Sequence, residues 1–185
     1  AHVQAADYST YDWRTQSTQW HGRYSVITAR TLEKDEDFEA LQKLPQVNAV
    51  VTMKRILLDR SANSDVELRA AAAKLHADML LFYTLDTSFY TDTRVRPLGV
   101  ITLGLFPNKH AHVSCTASAV LMDVRNGYLY AVVEATSHDQ QLANAWSSSD
   151  AVDQVRQRVE REAFTQLLTQ FRQEWSVVVA TYHRP

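Results

Sequence analysis

The stretch Cys115–Ser137, CTASAVLMDVRNGYLYAVVEATS, decides the fold, because two apolar segments flank an Asn-Gly pair. Asn-Gly between alternating segments is the strongest short-range signal for a β-hairpin. A change of one residue in loop length would turn every side chain of one strand to the other face of the sheet. A three-residue loop, Arg125–Gly127, pairs small apolar side chains: Leu121 with Ala131, Ala119 with Val133 and Ala117 with Ala135. We therefore predict a type I turn with a bulge, in which Gly127 takes the left-handed conformation.

The composition is that of an ordinary globular chain. Its 185 residues and 45% hydrophobic content are enough for one domain with its own core. The net charge of −2 gives no reason to expect nucleic acid as a partner. A single cysteine, Cys115, excludes an internal disulfide and leaves the redox compartment open. The sequence has no run of about 20 apolar residues that could cross a membrane as a helix.

The range 1–21 is treated as an N-terminal arm and the range 22–185 as a single α+β domain. The arm is rich in aromatic residues, namely Tyr8, Tyr11, Trp13 and Trp20. A flexible tether seldom holds so many, so we expect part of the arm to lie across the domain as an edge strand. The chain begins Ala-His-Val without Met, which is expected of a processed product that has lost a targeting segment and equally of an artificially trimmed chain.

Hydrophobic patterning predicts strands and helices along the rest of the chain. The predicted helices are 33–44, 64–76 and 150–175. The predicted strands are 22–30, 47–58, 79–83, the two strands of the hairpin, and 175–183. The continuous apolar run Met79–Tyr83 is typical of a central strand covered on both faces. These elements predict an α+β fold with one mixed β-sheet of about five to six strands packed with three α-helices.

Two helices carry more detailed signals. Ser64 and Glu67 have the spacing of a capping box at a helix start, and the four alanines after Arg69 permit close contact with a sheet. The last helix has a single apolar stripe with three- and four-residue steps. Its members are Val152, Val155, Val159, Ala163, Leu167, Phe171 and Trp175.

The pair of segments LRAAAAKLHADMLLFYTLDTSF and VSCTASAVLMDVRNGYLYAVVEATS resembles bacterial envelope lipoproteins of the rhombotarget type. More distantly, it is similar to the periplasmic domains of the curli secretion lipoprotein and of the lipoprotein activators of penicillin-binding proteins. Their shared pattern is a helix ending in Gly-Ala-Asp, an apolar strand, and a strand ending in an Asp-Val-Arg-x-Gly hairpin. Ala77-Asp78 and Asp123–Gly127 match this pattern, whereas His76 stands in place of the glycine.

The resemblance covers Ser64 to Trp175, and its motifs are structural rather than catalytic. It implies a location on the periplasmic face of the cell envelope, with a lipid anchor on a cysteine upstream of Ala1. Curli-type relatives form rings, so a homo-oligomer is also possible.

The range 96–112, RPLGVITLGLFPNKHAH, separates the two matching segments. It is either a buried extension of the following strand, which is the commoner case, or an exposed patch that docks onto a partner or the membrane interface. It is too short for a membrane-spanning pair of strands. The candidate interaction residues are its apolar members: Leu98, Val100, Ile101, Leu103, Leu105 and Phe106.

The ionisable residues give no catalytic signature. His110 and His112 lie on one face of a strand and could form a metal pair, but a closed zinc site needs four ligands, so structural or surface roles are favoured. Cys115 is expected to be a buried structural thiol, and Asp78 and Asp123 are expected to cap or brace turns. We therefore predict no catalytic residues, no metal and no cofactor.

We expect a non-enzymatic envelope lipoprotein domain that acts in protein–protein contacts or envelope assembly, with an unidentified envelope protein as its partner. The alternative is a periplasmic protein that binds a small molecule or a metal, using the histidines together with the aromatic arm. A hydrolase with an unrecognised site is a third reading.

Overall fold

A five-stranded mixed sheet lies at the centre of the fold. The computed structural model describes residues 1–5, 24–27, 32–58, 64–93, 109–142 and 149–182. The strands are β1 (His2–Ala5), β2 (Tyr24–Ile27), β3 (Met79–Thr93), β4 (Lys109–Asp123) and β5 (Leu129–Leu142). Their order in the sheet is β2-β1-β3-β4-β5. The pair β1–β3 is parallel and the other neighbouring pairs are antiparallel.

Three α-helices complete the described part of the chain, together with one short 3₁₀ helix. They are α1 (Asp35–Gln42), α2 (Asp65–Lys74) and α3 (Ser149–Tyr182), with the 3₁₀ helix at Arg55–Leu57. The predicted fold class is confirmed, and five strands is the lower end of the predicted number. Although α3 has 34 residues, no helix in the described ranges is both long and apolar enough to cross a membrane.

The predicted hairpin register, the bulge and the left-handed Gly127 are confirmed, but the loop is longer than the predicted three residues: β4 ends at Asp123, β5 begins at Leu129, and the Gly127 N–H donates to the carbonyl of Asp123. Leu121 pairs with Ala131, and the register shifts at Met122, which pairs with Leu129. Gly127 has a φ of +76°. An added Cβ at this position would lie 3.2 Å from the guanidinium carbon of Arg69. The turn therefore favours glycine mainly for its backbone conformation, since the nearby tip of the Arg69 side chain can shift to make room.

The two faces of the sheet carry separate cores. On one face α3 buries the predicted stripe, and each described member is at most 6% exposed: Val155, Val159, Ala163, Leu167, Phe171 and Trp175. These side chains pack against the small inner face of β4 and β5, as predicted. On the other face α2 packs its alanines Ala71 and Ala72 near the start of β3. Small residues permit this close approach of helix and sheet.

The end of α2 has a well-defined C-cap. His76 N–H donates to the carbonyl of Ala73, and Ala77 N–H donates to the carbonyl of Ala72. These two bonds form a Schellman motif, which needs a left-handed residue between them. His76 takes that role with a φ of 57°. The histidine thus occupies the position where the resembling lipoproteins have glycine, and it does so in the conformation that favours glycine.

Two predicted strands are wrong. Residues 47–54 form no regular secondary structure; Val47, Val50 and Met53 make the core contacts, whereas Val51 is 59% exposed. This three-residue spacing does not match the predicted alternation. The range 175–182 continues α3, because Trp175 and Val178 extend its buried stripe. The β-branched run around Val178 indicated a strand, but burial along one helical face outweighs that propensity.

Two smaller predictions also need correction. Strand β1 lies between β2 and β3, so within the described residues it is not an edge strand. Ser64 is the N-cap of α2, but its side chain makes no capping hydrogen bond there, so the predicted capping box is not formed. The central position of β3 is confirmed.

Candidate functional site: an apolar cavity along the last helix

A cavity of about 710 Å³ lies between the sheet, α1, α3 and the 46–54 segment. The floor includes Leu81 and Leu121 of the sheet, and one wall is formed by Phe38 and Leu41 of α1. This volume falls in the range of about 300–1,000 Å³ that is typical of small-molecule sites. The cavity is partly open to solvent, since lining residues such as Val51 and Tyr182 are exposed.

The cavity is elongated along α3. Residues of α3 line it from Phe164 to Tyr182, a length of about 27 Å at 1.5 Å per residue. The helix side chains that line it are Phe164, Leu167, Leu168, Phe171, Trp175, Val178, Val179 and Tyr182.

A buried carboxylate, Glu33, lies at the end of the cavity beside Phe164. The Glu33 side chain is 4% exposed. Its Oε1 accepts hydrogen bonds from the Tyr83 hydroxyl at 2.5 Å and from Nδ1 of His2 at 3.1 Å. The rings of His2 and Tyr83 stack with centroids 4.9 Å apart, and Tyr83 also contacts Phe164. All four residues line the cavity.

Burial would raise the pKa of the Glu33 carboxyl, but the hydrogen bonds from His2 and Tyr83 outweigh burial and lower it to about 2. The carboxylate is therefore ionised at neutral pH. Strand β1 brings His2 to this position, because His2 pairs directly with Tyr83 of β3. The backbone nitrogen of Ala1 donates to the carbonyl oxygen of Leu81 at 2.7 Å and holds the start of β1 against the sheet.

Two contacts attach the α1 wall to α3. Arg161 donates through both terminal nitrogens to the carboxylate of Asp37, and also to the carbonyl of Leu32 at 3.0 Å. Further along, the indole N–H of Trp175 donates to the carbonyl of Pro45 at 2.8 Å. Burial would raise the pKa of Asp37, but the hydrogen bonds from Arg161 and from the backbone of Lys34 lower it overall.

Three tyrosines lie at the opposite end of the cavity. Tyr130 and Tyr182 line it, and their rings meet edge to face with centroids 5.1 Å apart. The hydroxyls of Tyr128 and Tyr182 are hydrogen-bonded at 2.7 Å. Because the bulge shifts the register beyond Leu121, Tyr130 packs against the α3 core despite its parity in the sequence. This end of the cavity therefore has an aromatic, hydroxyl-bearing rim.

The turns at Asp78 and at Asp123–Gly127 contact each other beside this rim. The N–H of Val124 donates to the carbonyl of Asp78 at 3.0 Å, and Arg125 forms an exposed ion pair with the Asp78 carboxylate. Asp123 accepts the backbone N–H groups of Arg125 and Asn126. These bonds lower the pKa of Asp123. The prediction that Asp123 braces its turn is confirmed, whereas the Asp78 side chain makes only the exposed ion pair with Arg125.

The six candidate interaction residues lie outside the described residues. They are Leu98, Val100, Ile101, Leu103, Leu105 and Phe106. The described residues on either side, Thr93 and Lys109, are paired at the end of the β3–β4 ladder.

The two histidines of the predicted metal pair, His110 and His112, lie on β4. His110 pairs with Asp92 and Leu142 of the neighbouring strands, and His112 pairs with Tyr90 and Gln140. Within the described ranges, no group of three or more His, Cys, Asp or Glu residues could hold a metal ion.

The predicted buried thiol is confirmed. Cys115 is fully buried, and burial raises its pKa to about 11.

The sequence reasoning missed Glu33, His2, Tyr83 and Tyr130. The sequence predicts Glu33 only as the first residue of a helix. His2 lies 31 residues before it, and Tyr83 lies 50 residues after it. No local spacing links residues so far apart. The one usable signal is an acidic residue just before an amphipathic helix, and that signal is far too common to identify a site.

Comparison with known proteins gives one distant likeness. No family model matches the chain, and no curated protein matches it. A crystal structure described as a putative lipoprotein from Caulobacter crescentus CB15 superposes with a TM-score of 0.36 at 10% sequence identity. The match covers 65% of this chain and 84% of that chain. By its own geometry, the chain is an α+β protein with an apolar cavity beside its sheet.

Proposed function

We propose that this chain is a non-enzymatic envelope lipoprotein domain whose cavity binds an apolar small molecule. The observation that supports binding is the cavity of about 710 Å³, lined along α3 by a continuous series of apolar side chains. Burying an apolar ligand there contributes about 25 cal/mol per Å² of surface removed from water, before the cost of association. The ligand would take the place of water against the exposed lining side chains Val51, Met79 and Tyr182.

The absence of an enzymatic role is part of the proposal. Glu33 is bonded to Tyr83 and His2, and its low pKa makes it a poor proton carrier at neutral pH. The buried Cys115 thiol, with its raised pKa, is a poor nucleophile.

Calorimetric titration with dodecanol, a neutral single-chain probe, tests the binding function. Val50 lines the cavity from the 46–54 segment, so Val50→Phe should fill part of it and weaken binding at least several-fold. Val132 is 63% exposed and does not line the cavity. Val132→Phe therefore makes the same change elsewhere and should leave binding unaltered. Thermal melts of both variants check that the fold persists.

The proposal fails if dodecanol gives no saturable heat with the wild-type protein. It also fails if a folded Val50→Phe variant binds as tightly as the wild type does.

Location on the periplasmic face, through a lipid anchor upstream of Ala1, belongs to the same proposal and is supported by the motif resemblance over Ser64 to Trp175. The full-length gene product tests it, since a signal peptide ending in a lipidation cysteine is required. Expression of that product with radiolabelled palmitate should label the wild type and not a variant in which that cysteine is replaced by serine.

Docking of an envelope protein partner through the Leu98–Phe106 segment is a second proposed role. It is supported by the density of apolar residues there. Substituting Leu103 and Phe106 by Asp should abolish association with the envelope partner or the membrane while the domain stays folded. Unfolding of this variant would instead assign the segment to the core.

A further inference from the structure

The two outer strands of the sheet differ in length. Strand β2 has four residues and β5 has 14, and they lie at opposite ends of the strand order. Among the described strands, β5 pairs with β4 alone. An outer strand leaves every second backbone N–H and C=O group directed away from the sheet, where another strand can bond to them.

Strand β5 lacks the usual protection of a sheet edge. Short length, lysine and proline commonly prevent edge-to-edge pairing, and β5 has none of these. The bulge lies at its start, so its pairing with β4 is regular from Ala131 to Leu142. The edge is therefore long and regular enough to receive a further strand.

Side chains of β5 alternate between the two faces of the sheet. On one face Val133 and Ala135 are buried against α3. On the other face the side chains are exposed, namely those of Val132, Glu134, Thr136 and His138. Two of these bond to β4 across the face: the Thr136 and Thr116 hydroxyls lie 3.0 Å apart, and Glu134 accepts a hydrogen bond from the Ser118 hydroxyl at 3.0 Å.

Symmetry limits how two copies of one edge strand can pair. In a closed antiparallel dimer, the twofold axis is perpendicular to the joined sheet, and one residue faces its own counterpart on that axis. Residues at equal distances on either side of it then face each other. Paired residues point to the same face, so both α3 helices lie on one side of the joined sheet.

We propose that β5 is a dimerisation edge: two copies of this chain join their sheets through antiparallel β5 strands, with Thr136 on the twofold axis. Glu134 of each copy then lies opposite His138 of the other copy, so the same pair forms twice. The interface is separate from the cavity, since Tyr130 is the one described β5 residue that lines it.

The charges of β5 select this register. His138 is the only basic residue of the strand, so no other position of the axis places a group that can become positive opposite Glu134. An imidazole keeps at least one N–H donor in either protonation state, and a carboxylate accepts it. An axis at Glu134 would instead place two carboxylates opposite each other, which destabilises strand pairing.

Two further features agree with this register. Asp139, the other acidic residue of β5, already forms an ion pair with Arg158 of its own helix α3, so it brings no uncompensated charge to the interface. Thr136 on the axis extends the hydroxyl pair with Thr116 into a row of four threonines across the two copies.

Sedimentation equilibrium over a range of protein concentrations tests the dimer. The wild type should reach twice the mass of one chain. Glu134→Lys and His138→Glu should each raise the dissociation constant at least about tenfold, because each change removes both symmetric pairs. The double variant exchanges the charges across the interface and should return to within about threefold of the wild type.

A matched control carries the same charge change elsewhere. Glu36 is exposed on α1 and is not part of β5, so Glu36→Lys should dimerise as the wild type does. Thermal melts of all variants check that the fold persists.

Disulfide cross-linking tests the register. Thr136→Cys should form a covalent dimer rapidly on mild oxidation, since the two positions face each other on the axis. The native Cys115 is fully buried and does not compete. Val132 is 63% exposed on the same face, but its two copies would lie about 26 Å apart at ~3.3 Å per residue. Val132→Cys should therefore cross-link far more slowly.

The proposal is overturned if the wild type sediments as a monomer at every concentration, even where β5 binds a strand of a different protein. It is also overturned if a dimer persists in both Glu134→Lys and His138→Glu, or if Val132→Cys cross-links as fast as Thr136→Cys. Should a charge variant not fold, the two cysteine variants decide the question. Dodecanol binding should be equal in the wild type and Glu134→Lys, so a failure of the dimer leaves the binding function standing.

Discussion

The guanidinium of Arg161 bonds both carboxylate oxygens of Asp37, and this pair joins α3 to α1 beside the cavity. The two residues are 124 positions apart in the sequence. The Asp37 carboxylate also accepts the backbone N–H of Lys34 at 2.8 Å, so it stabilises the first turn of α1 as well. One carboxylate therefore fixes both the start of a helix and the wall of the candidate site.

Replacing Asp37 by Ala should lower the free energy of unfolding by about 2–3 kcal/mol, because it leaves Arg161 half-buried without its partner. Urea unfolding followed by circular dichroism measures this change. Glu36→Gln, on the exposed side of the same helix, should stay within about 0.5 kcal/mol of the wild type. Equal effects of the two substitutions would contradict the role of the ion pair.

The low pKa of Glu33 predicts a specific dependence of stability on pH. The pKa falls from 4.5 to about 2 on folding, so the unfolded chain binds a proton more readily. The stabilisation is present above pH 4.5 and is lost as the pH falls toward 2. It amounts to about 3 kcal/mol at most. The advantage of the wild type over Glu33→Gln in urea unfolding should shrink steadily between pH 5 and pH 2.5.

A stability difference between wild type and Glu33→Gln that does not change over this pH range would show that the carboxylate is not held in its ionised form. Asp37→Asn is a useful comparison, because the pKa of Asp37 is lowered as well. The stability advantage of the wild type over Asp37→Asn should therefore also decline as the pH falls.

Cys115 should not react with thiol reagents while the protein is folded. Its side chain is fully buried, and burial raises its pKa to about 11, so very little thiolate is present at neutral pH. Labelling with a disulfide reagent at pH 8 should therefore follow the rate of unfolding and become immediate in denaturing urea. Rapid stoichiometric labelling of the native protein would place Cys115 in a reactive site.

His76→Gly should stabilise the protein by about 1 kcal/mol. The residue has a φ of 57°, a conformation that costs most other residues about 1–2 kcal/mol, and part of this gain is lost to the greater freedom of glycine in the unfolded chain. Ala73→Gly also introduces glycine, but at an exposed site inside α2, and it should destabilise the protein by about 0.5–1 kcal/mol. Thermal or urea unfolding of the two variants tests the C-cap. If His76→Gly destabilised the protein as Ala73→Gly does, the left-handed C-cap role of His76 would be contradicted.

Much of the fold could be predicted because its signals are local. The alternation around Asn126-Gly127 gave the hairpin register, and the three- and four-residue steps from Val155 to Trp175 gave the buried stripe of α3. The predictions that are wrong concern segments whose local pattern is compatible with both a strand and a helix. The run from Val177 to Val179 has strand-forming residues, but Trp175 and Val178 extend the helical stripe and the helix continues.

By itself, the sequence determined the register of the hairpin and the buried stripe of α3, because side-chain periodicity and turn chemistry depend only on near neighbours. Only the tertiary structure decided the cavity. Its walls and its charged end depend on contacts such as His2 with Glu33, Glu33 with Tyr83, and Pro45 with Trp175, which span 31 to 130 residues. Contacts between residues so far apart depend on how the helices and the sheet pack against each other. No local sequence pattern indicates which of these residues meet.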